Sequence, residues 1–484
     1  MKSLTPILAP LLVLTSIAAS LPADPAPPKK KYNILFIISD DLTATALSCY
    51  GNKLCQTPNI DRIAARGTLF SRAYCQATFC GPSRASFMTG YYPHAIHMDN
   101  NINYKNGRME IGADRATWSQ HFKNNGYYAA RVGKIYHMGV PGDIETGVDS
   151  EDDPASWTEK FNIAGPEWKA PGKGETLEGN PDGKKPVMGG NTFVTVAADG
   201  DDLVHADGRA AVKACELIEQ HKDKPFFLAV GFVRPHVPFV SPAKYHEPYP
   251  LNKIVLPDKI PGDWDDIPKP GINYKTSKNM KMNEEQQKKA VAGYYASVAY
   301  MDAQVGTLLD ALKKHGLEEN TIVIFTSDHG YHLGEHDFWA KVSLHEESAA
   351  VPLIIAVPGA KPAISRSLVE LIDLYPTLAT LCGLEVPTRI QGKSLVPLLT
   401  DPVKEVRDAA FSVNGPGFLL RTDKWAYLQY GEDASKGIEL FDMVNDPKQY
   451  TNLAEKPEHK TTVEWFKSKL ADKLKGVRAS DLAH

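Results

Sequence analysis

Four short polar clusters each stand directly after an apolar run in this 484-residue chain. Asp40-Asp41 follows Ile34–Ser39, and Lys134 with His137 follows a run ending at Gly133. Arg234 with His236 follows Phe226–Val233, and Asp328-His329 follows Thr321–Ser327. Apolar runs of this kind, bounded by turn residues, read as buried strands. Ligands bind outside the carboxyl ends of the strands in an open α/β sheet, so parallel strands would bring these clusters to one edge. Asp40, Asp41 and Asp328 would then be crowded carboxylates. Without a cation they would repel one another and rise in pKa. A hard dication, Ca2+ or Mg2+, removes that conflict. Oxygen-rich coordination favours calcium over zinc, which takes nitrogen and sulfur. Alone, an Asp-Asp pair is a helix cap or a solvated turn, and Asp328-His329-Gly330 is a turn. Both at strand ends favour the metal.

Arg84, Lys134, His137, His236 and Lys341 form a second set, of cations suited to a multi-oxygen anion and its leaving group. A single Lys or Arg is ordinarily a solvated surface charge, and a single His is ordinarily structural. The position of His137 and His236 after strands is what argues for chemistry. The sharpest local motif is Cys80-Gly81-Pro82-Ser83-Arg84, running on to Gly90. Pro82 suits a helix start and Gly90 its end. That places Cys80 at a helix N-terminus, where backbone N–H groups attract an anion. A buried structural cysteine is the ordinary alternative, and a plain thiolate nucleophile another.

The elements that must position these residues follow from hydrophobic periodicity. Strands are expected at Ile34–Ile38, Tyr127–Val132, Phe226–Val230, Thr321–Phe325 and Pro352–Val357. Runs apolar on both faces belong to a largely parallel sheet covered by helices. Thr57-Pro58 reads as the cap and first position of a helix through Ala65. The clearest helix spans Asn283 to His315, with apolar residues recurring at three and four from Val291 to Leu312. Asn283 with Gln286 resembles a capping box. The fold class is α/β: a sandwich with a mostly parallel central sheet. Two Gly- or Pro-rich stretches, 139–200 and 241–280, read as loop-rich insertions that shape a pocket. Beyond residue 400, Phe418–Thr422 and Trp425–Tyr430 read as antiparallel strands, and Thr462–Leu474 as an amphipathic helix. Together they form a small C-terminal α+β subdomain over residues 401–484.

At these residues the chain resembles the type I sulfatase family of the alkaline phosphatase-like superfamily, whose maturation motif Cys-x-Pro-Ser-Arg matches Cys80 to Arg84. Within it, the iduronate-2-sulfatase group is most similar. The similarity lies in Asp40-Asp41-Leu42 with Cys49-Tyr50-Gly51, Val132 to His137, Arg234 to Phe239, and Thr326 to His336 running on to Lys341. It covers roughly residues 32 to 400, the expected catalytic domain. The resemblance implies that Cys80 is oxidised to formylglycine by a dedicated maturation enzyme, and that its hydrate is the nucleophile. It implies Ca2+ held by Asp40, Asp41, Asp328, His329 and position 80. Arg84 and Lys134 would hold the formylglycine and sulfate oxygens, and His137 would help expel sulfate. His236 and Lys341 would contact sulfate and help protonate the leaving sugar oxygen. Many family members carry Asn where this chain has His329; the iduronate-2-sulfatase group carries His. A sulfated saccharide is the implied substrate. A phosphoester hydrolase of the same superfamily and an inactive sulfated-glycan-binding protein are the competing readings.

Composition bounds the rest. A formal charge of −4 gives no argument for nucleic acid or an anionic membrane as partner. Residues 1–20 carry Lys2, a short apolar run and small residues, the pattern of a secretory signal peptide, and 21–31 read as a Pro-rich linker. No stable membrane insertion is expected. The expected location is secreted or periplasmic, with a lysosomal one disfavoured because no Asn-x-Ser/Thr triplet occurs. Six cysteines are too few for a disulfide-built scaffold, though a Cys49–Cys55 bridge is open.

Overall fold

The computed structural model describes residues 31–98, 111–179 and 192–482. The expected signal peptide, nearly all of the linker, and most of the segment from Ile96 to Arg108 lie outside the described residues. A nine-stranded sheet organises the chain. Its strand order is Ala363–Ser365, Thr68–Tyr74, Ala350–Ala356, Thr321–Ser327, Asn33–Asp40, Phe226–Pro235, Tyr128–Gly133 and Glu159–Phe161, and Val369–Glu370 also pairs with Thr68–Tyr74. The four strands that precede the polar clusters are mutually parallel. Asn33–Asp40 lies between Thr321–Ser327 and Phe226–Pro235, and Tyr128–Gly133 joins the latter. Ala350–Ala356 runs antiparallel to both of its neighbours, so the sheet is mostly and not wholly parallel.

Alternation along the central strand divides the core. Leu35 and Ile37 pack on the face that carries the helices Ala206–His221 and Glu284–Lys314; Ile34, Phe36 and Ile38 pack on the face that carries Trp118, Phe122, Leu374 and Leu378. Successive strand side chains point to opposite faces, and all eight residues of Asn33–Asp40 are buried because both faces are covered.

The long helix begins as its sequence requires. Asn283 Oδ1 accepts from the Gln286 amide, and the Asn283 amide donates to Gln286 Oε1, each at 2.9 Å. The helix Pro58–Ala64 differs from expectation. Thr57 makes no side-chain cap; its hydroxyl accepts from the Ser48 amide at 2.9 Å. Asp302, from the long helix, takes the Asn59 and Ile60 amides at 3.1 and 2.8 Å. A carboxylate at a helix N-terminus satisfies the orphan donors.

Residues 241–280 are loop-rich as expected, while the described part of the first insertion is more ordered than a loop. Gly172–Thr176, Val194–Ala198 and Phe239–Pro242 form a three-stranded sheet. The C-terminal strands Ala410–Asn414, Gly417–Arg421, Trp425–Tyr430 and Ile438–Asp442 form an antiparallel sheet, followed by the helix Lys460–Arg478. This sheet docks on the segment before Cys80: the Val413 amide donates to the Gln76 carbonyl at 3.0 Å, and Thr78 to the Val413 carbonyl at 3.3 Å. All six cysteines are free thiols, Cys49 and Cys55 included.

Candidate active site

The carboxyl ends of the four parallel strands converge on the N-terminus of the helix Cys80–Thr89. Every residue of that helix is buried, and Gly90 closes it with φ of +82°, a conformation that favours glycine. Cys80 Sγ lies 3.2 Å from His329 Nε2, 3.2 Å from Lys341 Nζ and 3.8 Å from Asp41 Oδ1. One helical turn on, the Arg84 guanidinium is wholly enclosed. Its Nε donates to Asp328 Oδ2 at 3.0 Å and its Nη2 to Asp40 Oδ1 at 3.1 Å. Its Nη1 donates to the carbonyls of Lys134 and Ile135 at 2.6 and 3.0 Å. This planar fork ties three strand ends to the helix.

The aspartates divide the cations between them. Asp40 Oδ2 accepts from Lys134 Nζ at 2.5 Å, and Asp41 Oδ1 accepts from Lys341 Nζ at 2.6 Å. Asp41 sits at φ of +62°, in the left-handed region that non-glycine residues rarely adopt. Strain of this kind persists where the surroundings over-determine it. Here the Asp41 amide donates to Asp328 Oδ1 at 3.2 Å, and Tyr294 Oη donates to the Asp41 carbonyl at 2.7 Å.

Two overlapping groups have ligand atoms close enough to hold one ion. Asp40, Cys80, Asp328 and His329 form one; Asp40, Asp41, Cys80 and His236 form the other, with all atoms of each group within 4.8 Å of one another. The donor set fits a hard dication. It is rich in carboxylate, and the buried Asp41 Oδ2 makes no hydrogen bond. All five expected ligands are therefore brought together, and His236 joins them.

The family model described as Sulfatase matches residues 32–384. The chain belongs to the sulfatase family. A second model, described as N-sulphoglucosamine sulphohydrolase, C-terminal, matches residues 334–476. The chain is 36% identical over 400 residues to the iduronate 2-sulfatase of Mus musculus, covering 74% of this chain and 70% of that protein. It is 32% identical over 453 residues to a sulfatase of Formosa agariphila, covering 91% and 86%. Its fold is similar to that of the phosphonate monoester hydrolase of Agrobacterium radiobacter, with a TM-score of 0.74, 21% identity, and coverage of 93% of this chain and 97% of that one.

The electrostatics of this sulfatase separate its carboxylates. Burial opposes ionisation of Asp40, but the cations Lys134 and Arg84 outweigh it and hold the carboxyl well below the ordinary carboxylate range. Burial pushes Asp41 up, against the pull of Lys341 and His329. Burial and the Asp40 charge raise the Cys80 thiol well above its ordinary value, the opposite of what a reactive thiolate needs. Burial would discharge Lys341, yet the Asp41 carboxylate beside it keeps it protonated. Burial and Lys134 push His137 down to about 3, so that half-buried imidazole is neutral near pH 7. Burial and Lys341 likewise lower His236.

Sequence reading missed the residues that brace this set. Ser83 Oγ donates to the Asp328 carbonyl at 2.5 Å, and Ser327 Oγ to the His329 carbonyl at 2.8 Å. Tyr294 read as one more core position of a helix face. A tyrosine hydroxyl on a buried stripe needs a polar partner, which is the signal that marks it.

Proposed function

We propose that this sulfatase hydrolyses sulfate esters of a sulfated saccharide, with a formylglycine made from Cys80 as nucleophile and a bound Ca2+. The observation that carries the reading is Cys80 itself: it opens a buried helix, with its Sγ 3.2 Å from both Lys341 Nζ and His329 Nε2 and among Asp40, Asp41 and Asp328. A thiol held protonated there is a poor nucleophile, whereas an aldehyde hydrate at the same position presents its two hydroxyls, on Cβ, to the same partners.

Asp40, Asp41, Asp328 and His329 would hold the ion, with position 80 beside them. Calcium, when bound, supplies positive charge to the sulfate oxygens. The chain's own cations do the rest. Lys134 and Lys341 face the site, and they stabilise negative charge that develops on the sulfuryl oxygens. Arg84 donates to protein oxygens from all three guanidinium nitrogens, so its main task is to fix Asp40 and Asp328. His236 Nδ1 lies 2.5 Å from the Val237 carbonyl, which only accepts. That bond assigns the proton to Nδ1 and leaves Nε2 facing the site. His236 rests neutral, so Nε2 would take up a proton when the anionic sulfate sits beside it and then pass that proton to the leaving sugar oxygen. Neutral His137 takes the proton of the hydrate's second hydroxyl once the first carries the sulfuryl group, so that the C–O bond to sulfate breaks and the aldehyde returns.

The iduronate 2-sulfatase similarity supports a uronate or a related polysaccharide-derived sugar as substrate. The signal-like residues 1–20 support export to the periplasm or beyond, and among the described residues no helix is long and apolar enough to cross a membrane. A formylglycine-generating enzyme is the required partner.

The test has two parts. The tryptic peptide Ala73–Arg84 from the native host should be lighter than its thiol form by the exchange of CH2SH for CHO. The same protein should release sulfate from sulfated uronates or polysaccharide fragments, and should turn over the corresponding phosphate esters far more slowly. A matured protein that prefers phosphate esters would overturn the reading.

A further inference from the structure

The insertion spanning residues 139–200 sends one acidic side chain into the protein behind the site. Glu167 is 1% exposed and sits at φ of +47°, a backbone conformation costly for a residue with a Cβ. Its carboxylate holds Arg234 Nη2 at 2.5 Å. Arg234 Nη1 donates to the carbonyls of His236 and Pro238, at 2.6 and 2.5 Å. The backbone is gripped as well: the Val233 and Arg234 amides donate to Asp207 at 2.8 and 2.9 Å, and Ser39 Oγ donates to the Arg234 carbonyl at 2.7 Å. Arg234, Glu167 and Asp207 are all buried. Beyond this clamp His236 faces Asp41, with Nε2 3.7 Å from Oδ2.

We propose that Arg234 and Glu167 are positioning residues for His236. The guanidinium closes the turn that carries the imidazole by holding the carbonyls of residues 236 and 238. Glu167 holds the guanidinium in that place and neutralises it; an unpaired buried cation would be costly there. The insertion thus supports a reacting group from behind. The proposal rests on the sulfatase reading above, in which His236 serves the leaving oxygen.

Two aryl sulfates test it on the matured full-length enzyme. The phenolate leaving 4-nitrophenyl sulfate needs little assistance; the one leaving phenyl sulfate needs much. Glu167→Gln and Arg234→Lys should each lower kcat on phenyl sulfate ~30-fold and on 4-nitrophenyl sulfate less than ~3-fold, a fraction of what general acid assistance contributes. KM should stay within about twofold for both. In a His236→Ala background, Glu167→Gln should cost nothing further, because coupled residues are not additive. Glu167→Asp, which keeps the charge, should show a smaller loss with the same dependence on leaving group, and it serves if the Gln variant does not fold. Equal losses on both esters, or full additivity with His236→Ala, would overturn the proposal. If the wild type turns over only a sulfated saccharide, the coupling of Glu167→Gln with His236→Ala is read on that substrate, with the same outcomes. Wild-type enzyme that releases sulfate neither from these esters nor from sulfated uronates or polysaccharide fragments would instead sink the sulfatase reading, and that result appears before any variant is made.

Discussion

Lys341 Nζ stands 3.2 Å from Cys80 Sγ, across 261 residues of sequence. The segment that delivers it is bent hard: His336, Asp337, Ala340 and Val342 all have positive φ. Asn273 fastens it, donating to the Lys341 carbonyl at 2.8 Å. On the proposed mechanism, an ammonium fixed this close to the reacting atom stabilises charge that develops on substrate.

Cys80→Ala removes the atom around which these cations gather. Turnover of any sulfate ester should fall by at least ~10⁴-fold, since a missing nucleophile leaves only binding and electrostatics. The thermal midpoint should move little, because the exchange removes only the tip of one small buried side chain. Kinetics and a melting curve on the same preparation check both halves; normal activity in this variant would exclude Cys80 as the nucleophile.

Chelation by EGTA should abolish or strongly reduce activity, with recovery on adding Ca2+. The melting midpoint should fall with the ion removed, since Asp40, Asp41 and Asp328 would lose the charge that offsets their repulsion. Activity unchanged after metal analysis shows the ion gone would remove Asp40, Asp41, Asp328 and His329 from the ligand set.

Arg84→Lys keeps the charge and loses the fork. The guanidinium serves Asp40, Asp328 and two carbonyls at once. A lysine cannot reach all four, so buried acceptors are stranded, at a cost of about 3–5 kcal/mol. Denaturant or thermal unfolding should show that loss. A variant as stable as the parent would mean that the strand ends are held by something else.

Asp302, at the start of the Pro58–Ala64 helix, gives a pH-dependent prediction. Burial pushes its carboxyl up to about 6. Between about pH 4, the unfolded value, and pH 6, the folded protein binds a proton that the unfolded chain does not. Stability from this group is therefore present at low pH and lost as pH rises through that window. Asp302→Asn has no such titration. The stability of wild type minus that of the variant should fall from pH 4 to pH 6, by at most about 3 kcal/mol, and stay level above pH 7. Unfolding midpoints of both proteins at four pH values measure it; a difference that does not change with pH would place the Asp302 pKa near that of a free carboxylate.

The local grammar of the chain determined a good deal by itself. Apolar runs ending in polar clusters placed Asp40, Lys134, His236 and Asp328 at strand ends, and Pro82 with Gly90 placed Cys80 at the head of a helix. The Asn283–Gln286 cap fixed the start of the longest helix. These signals lie within a few residues of what they govern, so one sequence contains them. Pairings across the fold are another matter. The reversed strand Ala350–Ala356, the Asp302 cap and the docking of Val413 behind Cys80 depend on which segments meet. So do the Tyr294 brace and the Glu167–Arg234 clamp. Their partners are often backbone carbonyls and amides, which every residue carries and no motif marks. Tertiary structure alone decided which of them came within hydrogen-bonding reach.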